Sequence, residues 1–227
     1  MKVLQKRIFL LTACIFMLSV FSAKAVDLDS LNRDPKYVES IVKRSQKIAD
    51  QLKIKNTSAS KQVVNIISNR YFELNDIYTK RDAKVKKVKD SGVTGDAKNE
   101  AVKAANDEKD AALYRTHFAF PANLSIYLNE KQIESVKDGM TYNVVSVTYN
   151  ATLDMIPSLK KDEKEQIYAW LVEAREYAID AESSNKKHEM FGKYKGRINN
   201  YLSKRGYDLT KEREEWAKRV KARGGTL

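Results

Sequence analysis

Between Ser183 and Asp208 the sequence SSNKKHEMFGKYKGRINNYLSKRGYD gathers seven Lys or Arg, one histidine, four aromatics and three glycines. These are the side chains that hold acidic ligands. Lys and Arg meet carboxylate, sulfate or phosphate through charge-assisted hydrogen bonds, and Tyr or Trp faces stack on sugar rings. Turned at about 100° per residue, the segment from Lys187 to Arg205 divides into three faces. Phe191, Tyr194, Ile198, Tyr201 and Leu202 form an apolar arc, and Lys193, Arg197, Asn200 and Lys204 a basic one. Between them runs a strip of His188, Gly192, Lys195, Gly196, Asn199 and Ser203. A helical glycine costs about 1 kcal/mol relative to Ala, and two stand here one turn apart. The strip is therefore expected to receive something at close range, a crossing helix in the first place and a ligand in the second. The ligand-binding candidates are Lys193, Lys195, Arg197, Asn199 and Asn200, backed by Tyr142, Tyr149 and Trp170. His188 is the candidate proton acceptor, with Asp180 or Glu189 to orient it.

The basic arc also has a purely structural partner. The preceding helix carries Glu173, Glu176 and Asp180, which antiparallel packing would bring to Lys193 and Arg197. Exposed pairs of that kind contribute only about 0–1 kcal/mol each. Other chemistries lack their residues. The sequence has no HExxH, no Gly-rich phosphate loop and no GxSxG, and its only histidines are His117 and His188. No metal and no cofactor are expected. The formal net charge of +12 comes without a nucleic-acid reader motif, so no nucleic-acid partner is expected.

The elements that must position these residues follow from the chain in order. Residues 1–25 read as a secretory leader: Lys2, Lys6 and Arg7 precede an apolar run from Ile8 to Val20, and Ala23-Lys24-Ala25 is a small-x-small cleavage site before Val26. The run is short of the roughly 20 residues that span a bilayer. Leu11-Thr12-Ala13-Cys14 offers a rival lipoprotein reading, but the residues after Cys14 stay apolar. Export to the periplasm or medium is expected, with membrane attachment only through Cys14. The single cysteine lies in the leader, so the exported chain would depend on core packing without disulfides.

Residues 26–227 read as one all-helical domain. Only 8 Gly and 3 Pro occur in 227 residues, which favours long helices over many turns. Asp34-Pro35 starts the first helix. Val63, Val64, Ile67, Tyr71, Leu74 and Tyr78 form the stripe of a second, which runs into a Lys-rich end. A turn at 90–96 returns a third, so residues from about 80 to 112 form a projecting hairpin arm, packed at its base and charged at its tip. Leu113, Tyr114, Phe118 and Phe120 read as the core end of that arm, and Pro121 breaks the helix. Asn129 and Gln132 form a capping box, and Gly139 is placed just past that helix's end. Met140–Ile156 is rich in Val, Thr and Tyr and reads as a buried irregular segment, because no second strand exists to pair with it. The fold expected is an all-α multi-helix bundle with a long projecting hairpin and this one irregular passage.

The strings Asp138-Gly139-Met140-Thr141-Tyr142, Trp170-Leu171-Val172-Glu173-Ala174-Arg175-Glu176, Lys187-His188, Phe191-Gly192-Lys193-Tyr194-Lys195-Gly196-Arg197-Ile198-Asn199-Asn200-Tyr201-Leu202 and Gly206-Tyr207-Asp208, with Trp216, resemble the secreted bacterial family called domain of unknown function 3826. The chain departs from the family pattern at Ser146, where a Pro is expected. The resemblance implies a Bacteroidota setting among genes for polysaccharide breakdown, pectin included, and carries no catalytic residues with it. The leading expectation is an exported accessory protein of polysaccharide use that binds an acidic oligosaccharide. A lyase or hydrolase on the same substrates is one alternative. The other is a chaperone-like or scaffold protein holding an envelope protein partner, since Leu128-Asn129…Gln132 resembles the L-T-x-x-Q motif of small periplasmic stress chaperones.

Overall fold

The computed structural model describes residues 25–226, and among them stand nine α-helices and no strand. The leader as far as Lys24, with the Cys14 alternative, falls on residues outside those described. Helix α1 (Pro35–Gln51) begins where the Asp34 carboxylate accepts the Tyr37 N–H and Pro35 takes the first helical position. Asn56 caps α2 (Thr57–Asp90) by accepting from the Ala59 N–H. Gly92 and Gly95, both at positive φ, reverse the chain into α3 (Gly95–His117). After a break at Phe118 come α4 (Ala119–Leu124), with Pro121 in its first turn, and α5 (Glu130–Met140), whose Asn129–Gln132 capping box forms as expected. Then follow α6 (Val144–Met155), α7 (Lys161–Ala178), α8 (Ser184–Lys204) and α9 (Leu209–Ala222). No helix among the described residues is long and apolar enough to cross a membrane.

The helices build two apolar cores. Ile48, Leu52, Val63, Ile67, Phe120, Leu124, Val136 and Met140 bring α1, α2, α4 and α5 together. Val145, Ile156, Ile167, Leu171, Ala174, Phe191, Ile198 and Leu202 bring α6, α7 and α8 together. Each of the larger side chains among them contributes roughly 1.5–3 kcal/mol on burial. The two cores meet at Ile179, just past α7, which packs into the first. The rest of the junction is polar. The lead into α1 is held by a ladder of α2 amides: Gln62 accepts the Val26 N–H at 2.6 Å, and Asn65 and Asn69 donate to the Val26 and Asp27 carbonyls at 2.8 Å.

Two expectations are corrected. Met140–Ile156 is not an irregular passage. It is a tight turn at Thr141–Asn143 followed by α6. The strand preference of Val and Thr is small, and burial of Val144, Val145 and Thr148 against α7 outweighs it. The hydroxyls find partners inside the helix: Thr152 Oγ1 donates to the Thr148 carbonyl at 2.7 Å. Gly139 also does not end α5. It lies within the helix, where a Cβ would come 3.1 Å from Ile48 of α1, and the left-handed residues that turn the chain are Tyr142 and Asn143. The glycine permits close packing of two helices rather than a reversal.

Candidate functional site

A cavity of about 810 Å³ opens between the C-terminal half of α3, with Tyr78 and Arg81 of α2 beside it, and the facing surfaces of α7 and α8. That is the size of small-molecule sites in general. Its floor is the polar seam between the two cores. Arg70 of α2 is buried, and its Nη2 donates to Asp180 Oδ1 at 2.6 Å while Nη1 donates to Glu73 and Thr116. The other oxygen of Asp180 lies 2.8 Å from His117 Nδ1. A carboxylate only accepts, so Nδ1 carries the proton and Nε2 faces away. Burial works against ionisation of Asp180. The His117 hydrogen bond and the Arg70 charge outweigh it and hold the carboxyl below its ordinary range. Tyr78 Oη donates to the Asp180 carbonyl at 2.9 Å. Farther along, Lys137 Nζ donates to Glu176 at 2.9 Å, and buried Arg175 holds Glu134 and Asp138 of α5. The seam thus joins the cores by charge–charge contacts, and the cavity runs along it.

The walls are aromatic and electrically compensated. Tyr114 is 71 % exposed, Phe118 61 % and Tyr177 59 %. Phe118 stands edge-on to His117 at 4.9 Å and Tyr114 edge-on to Phe118 at 5.7 Å. Every lining carboxylate has a cation beside it: Glu182 with Arg81 at 2.5 Å, Asp110 with Lys109 at 2.6 Å, Glu189 with Lys186 at 2.8 Å, Glu173 with Arg197 at 3.3 Å, Glu176 with Lys137 and Asp180 with Arg70. Among the described residues, Lys193 is the lining cation with no carboxylate at ion-pairing distance. Behind the wall, Lys187 is buried and donates to the Ala178 and Ile179 carbonyls at 3.0 Å, closing the end of α7. Burial pushes its ammonium down to about 8.

Of the candidates from sequence, Lys193 enters this cavity and the others stand elsewhere. Arg197 pairs with Glu173 and lies 4.5 Å over the Trp170 ring, so it belongs to the α7–α8 packing foreseen as its structural role. Trp170 packs edge-on against Tyr201 at 5.1 Å, and Tyr149 against Tyr168 at 5.3 Å. Lys195, Asn199 and Asn200 are exposed on the outer side of α8. His188 is not oriented by Asp180 or Glu189. The first serves Arg70 and His117 and the second Lys186, while the His188 ring stacks on Tyr142 at 5.4 Å. Among the described residues no helix crosses the glycine strip either. A Cβ at Gly192 or Gly196 would meet nothing of them within 4 Å. Since nothing packs there, Gly192→Ala and Gly196→Ala should each raise stability by about 0.5–1 kcal/mol in urea unfolding. A loss in either would show that the strip has a steric use in the folded chain.

The residues that sequence reasoning missed are His117, Arg70, Tyr114, Phe118 and Tyr177, and Asp180 was assigned to His188 rather than to His117. Tyr114 and Phe118 are corrected from core to cavity wall. The available signal was their company: Tyr114, His117 and Phe118 share one face of α3, and Glu173, Glu176, Tyr177 and Asp180 share one face of α7. Two faces that mix aromatics with ionisable groups are too polar to bury and suit a wet cleft.

No curated protein matches the chain. A family model matches residues 38–222, from the first turn of α1 to the end of α9, and so takes in every element of the cleft. The chain belongs to the family described as Protein of unknown function (DUF3826).

Proposed function

We propose that the chain binds an oligosaccharide in the cleft between α3 and α7–α8, with an acidic sugar unit against Lys193. The observation that carries this reading is the set of exposed aromatic side chains, Tyr114, Phe118 and Tyr177, lining one cavity. Exposed rings flanked by paired carboxylates and amines suit a ligand that is apolar on its ring faces and hydroxyl-rich at its edges. Because the lining charges are otherwise compensated, Lys193 is the group free to take a carboxylate. The leader-like N-terminus and the setting implied by the family resemblance support an exported accessory role in polysaccharide use. An envelope protein held by the arm is the competing expectation. The cleft-facing side of α3 favours the smaller ligand.

Calorimetric titration of the full chain with uronate oligomers and their neutral counterparts tests the reading. Uronates are expected to bind. Tyr177→Ala should weaken them about three- to tenfold, as loss of one stacking face would. Lys193→Ala should cost about tenfold for uronates and little for neutral oligomers. Titrations that stay flat across the whole panel overturn it.

A further inference from the structure

We infer that the cleft is catalytic as well: His117 removes the proton beside the carboxylate of a bound 4-linked uronate, and the glycosidic oxygen leaves by β-elimination. The inference rests on the saccharide reading above and adds a reaction to it.

The proton inventory of the cavity points this way. A general acid made from a carboxyl group must be neutral at working pH, which requires burial without a cation. All six lining carboxylates have a cation beside them, so none meets that requirement. The acid half of a two-carboxylate glycoside hydrolysis is then missing. Among the described residues no Ser, Thr or Cys lines the cavity, so no aliphatic hydroxyl or thiol nucleophile stands among them. What remains able to move protons is His117, Lys193 and the phenols. Tyr78 is committed to the Asp180 carbonyl, which leaves Tyr114 and Tyr177.

Histidine geometry is that of an oriented base. Nδ1 donates to Asp180 Oδ2 at 2.8 Å, and Arg70 fixes that carboxylate from its other side at 2.6 Å. The carboxylate facing Nε2 is Glu176, whose Oε2 lies 3.9 Å away, too far to hydrogen-bond and already held by Lys137. Nε2 is thus presented with its lone pair free. Asp180 is a positioning residue, and His117 the group that touches substrate.

The step balances without an added reagent. Nε2 takes the proton from C5, and the C–H electron pair becomes the C4=C5 double bond. The C4–O4 bond breaks with its electrons on oxygen, and that oxygen takes a proton from Tyr114 or Tyr177. The phenolate then recovers a proton from the imidazolium through water. Lys193, on the carboxylate, stabilises the charge that develops there as C5 loses its proton.

The full chain is incubated with oligomers of galacturonate, of mannuronate and of alternating glucuronate. The ultraviolet absorbance of the unsaturated uronate product is followed beside calorimetric binding. Turnover is expected on at least one oligomer that binds. His117→Gln should lower kcat by about 10²–10⁴-fold with little change in Kd. Should Gln at 117 unfold the chain, Lys193→Ala decides, since that side chain is exposed. Its kcat/KM on uronates must fall at least tenfold with an unchanged unfolding midpoint. Binding without unsaturated product overturns the elimination and leaves the binding reading standing. No binding overturns both. Wild-type kcat in His117→Gln, or wild-type kcat/KM in Lys193→Ala, removes the assigned roles.

Discussion

Replacing Asp180 by Ala should cost the folded chain about 3 kcal/mol, one of the largest losses from any single side chain outside the two cores. Its two oxygens serve Arg70 Nη2 at 2.6 Å and His117 Nδ1 at 2.8 Å, and both donors lie in the seam between those cores. Removing one partner of a buried pair leaves the other charge unsolvated, at about 3–5 kcal/mol. The lower end applies because Arg70 keeps Glu73 and Thr116. Removing the guanidinium as well, in Arg70→Met/Asp180→Ala, should recover more than half of the loss, since the charge left without a partner is then Glu73, which is exposed enough to be solvated. Urea unfolding of the wild type and the variants measures this. If the double variant is less stable than Asp180→Ala by the full cost of a second independent lesion, the coupling of the two groups is wrong. A second readout follows from the cleft. Without Asp180 the His117 ring loses its anchor, so turnover and stability should fall together.

The polar seam explains what was legible in the sequence and what was not. Helices with one apolar stripe were readable, because the 3.6-residue period reports burial of one face directly. Caps were readable for the same local reason: Asp34-Pro35 and Asn129…Gln132 carry their partners within three residues. The α6 segment was misread because Val, Thr and Tyr favour a strand only weakly, and the burial that overrides this comes from α7, which follows it in the chain.

The candidate site was the least legible part. The basic run in α8 was conspicuous as composition, yet only Lys193 of its proposed binding residues reaches the cavity. What fixes the site is pairing across long sequence separations. Arg70 meets Asp180 110 residues away, and His117 meets it 63 away. Neither distance leaves a local trace. The choice between the two histidines shows the point. His188 was favoured for its basic neighbours, while His117 sat among apolar residues of a helix taken for core. The fold gives His117 the carboxylate and leaves His188 against a tyrosine ring.

The buried ammonium of Lys187 should give the protein a stability that rises with pH above neutrality, opposite to the usual alkaline trend. Burial pushes this group from 10.5 down to about 8. Asp180 nearby favours the charge, whereas Arg44 and Arg70 oppose it, and burial dominates. Between pH 8 and 10.5 the unfolded chain holds a proton on this amine that the folded chain has released. Stability therefore rises with pH across that window. At about 1.4 kcal/mol per pH unit, the full displacement corresponds to about 3 kcal/mol. The cost is present in full below pH 8 and gone above 10.5. The phenols set the upper limit. Tyr71 and Tyr78 are pushed up by burial to about 12, so unfolded tyrosines ionise first and stability falls from about pH 10. The wild type should thus be most stable near pH 9–10. In Lys187→Met the rising limb should vanish while the fall above pH 10 remains, because the amine is removed and the phenols are untouched. Urea midpoints taken from pH 7 to 11 on both proteins separate the two limbs. If Lys187→Met retains the same rise between pH 8 and 10, the slope belongs to another group and the buried amine is not its source.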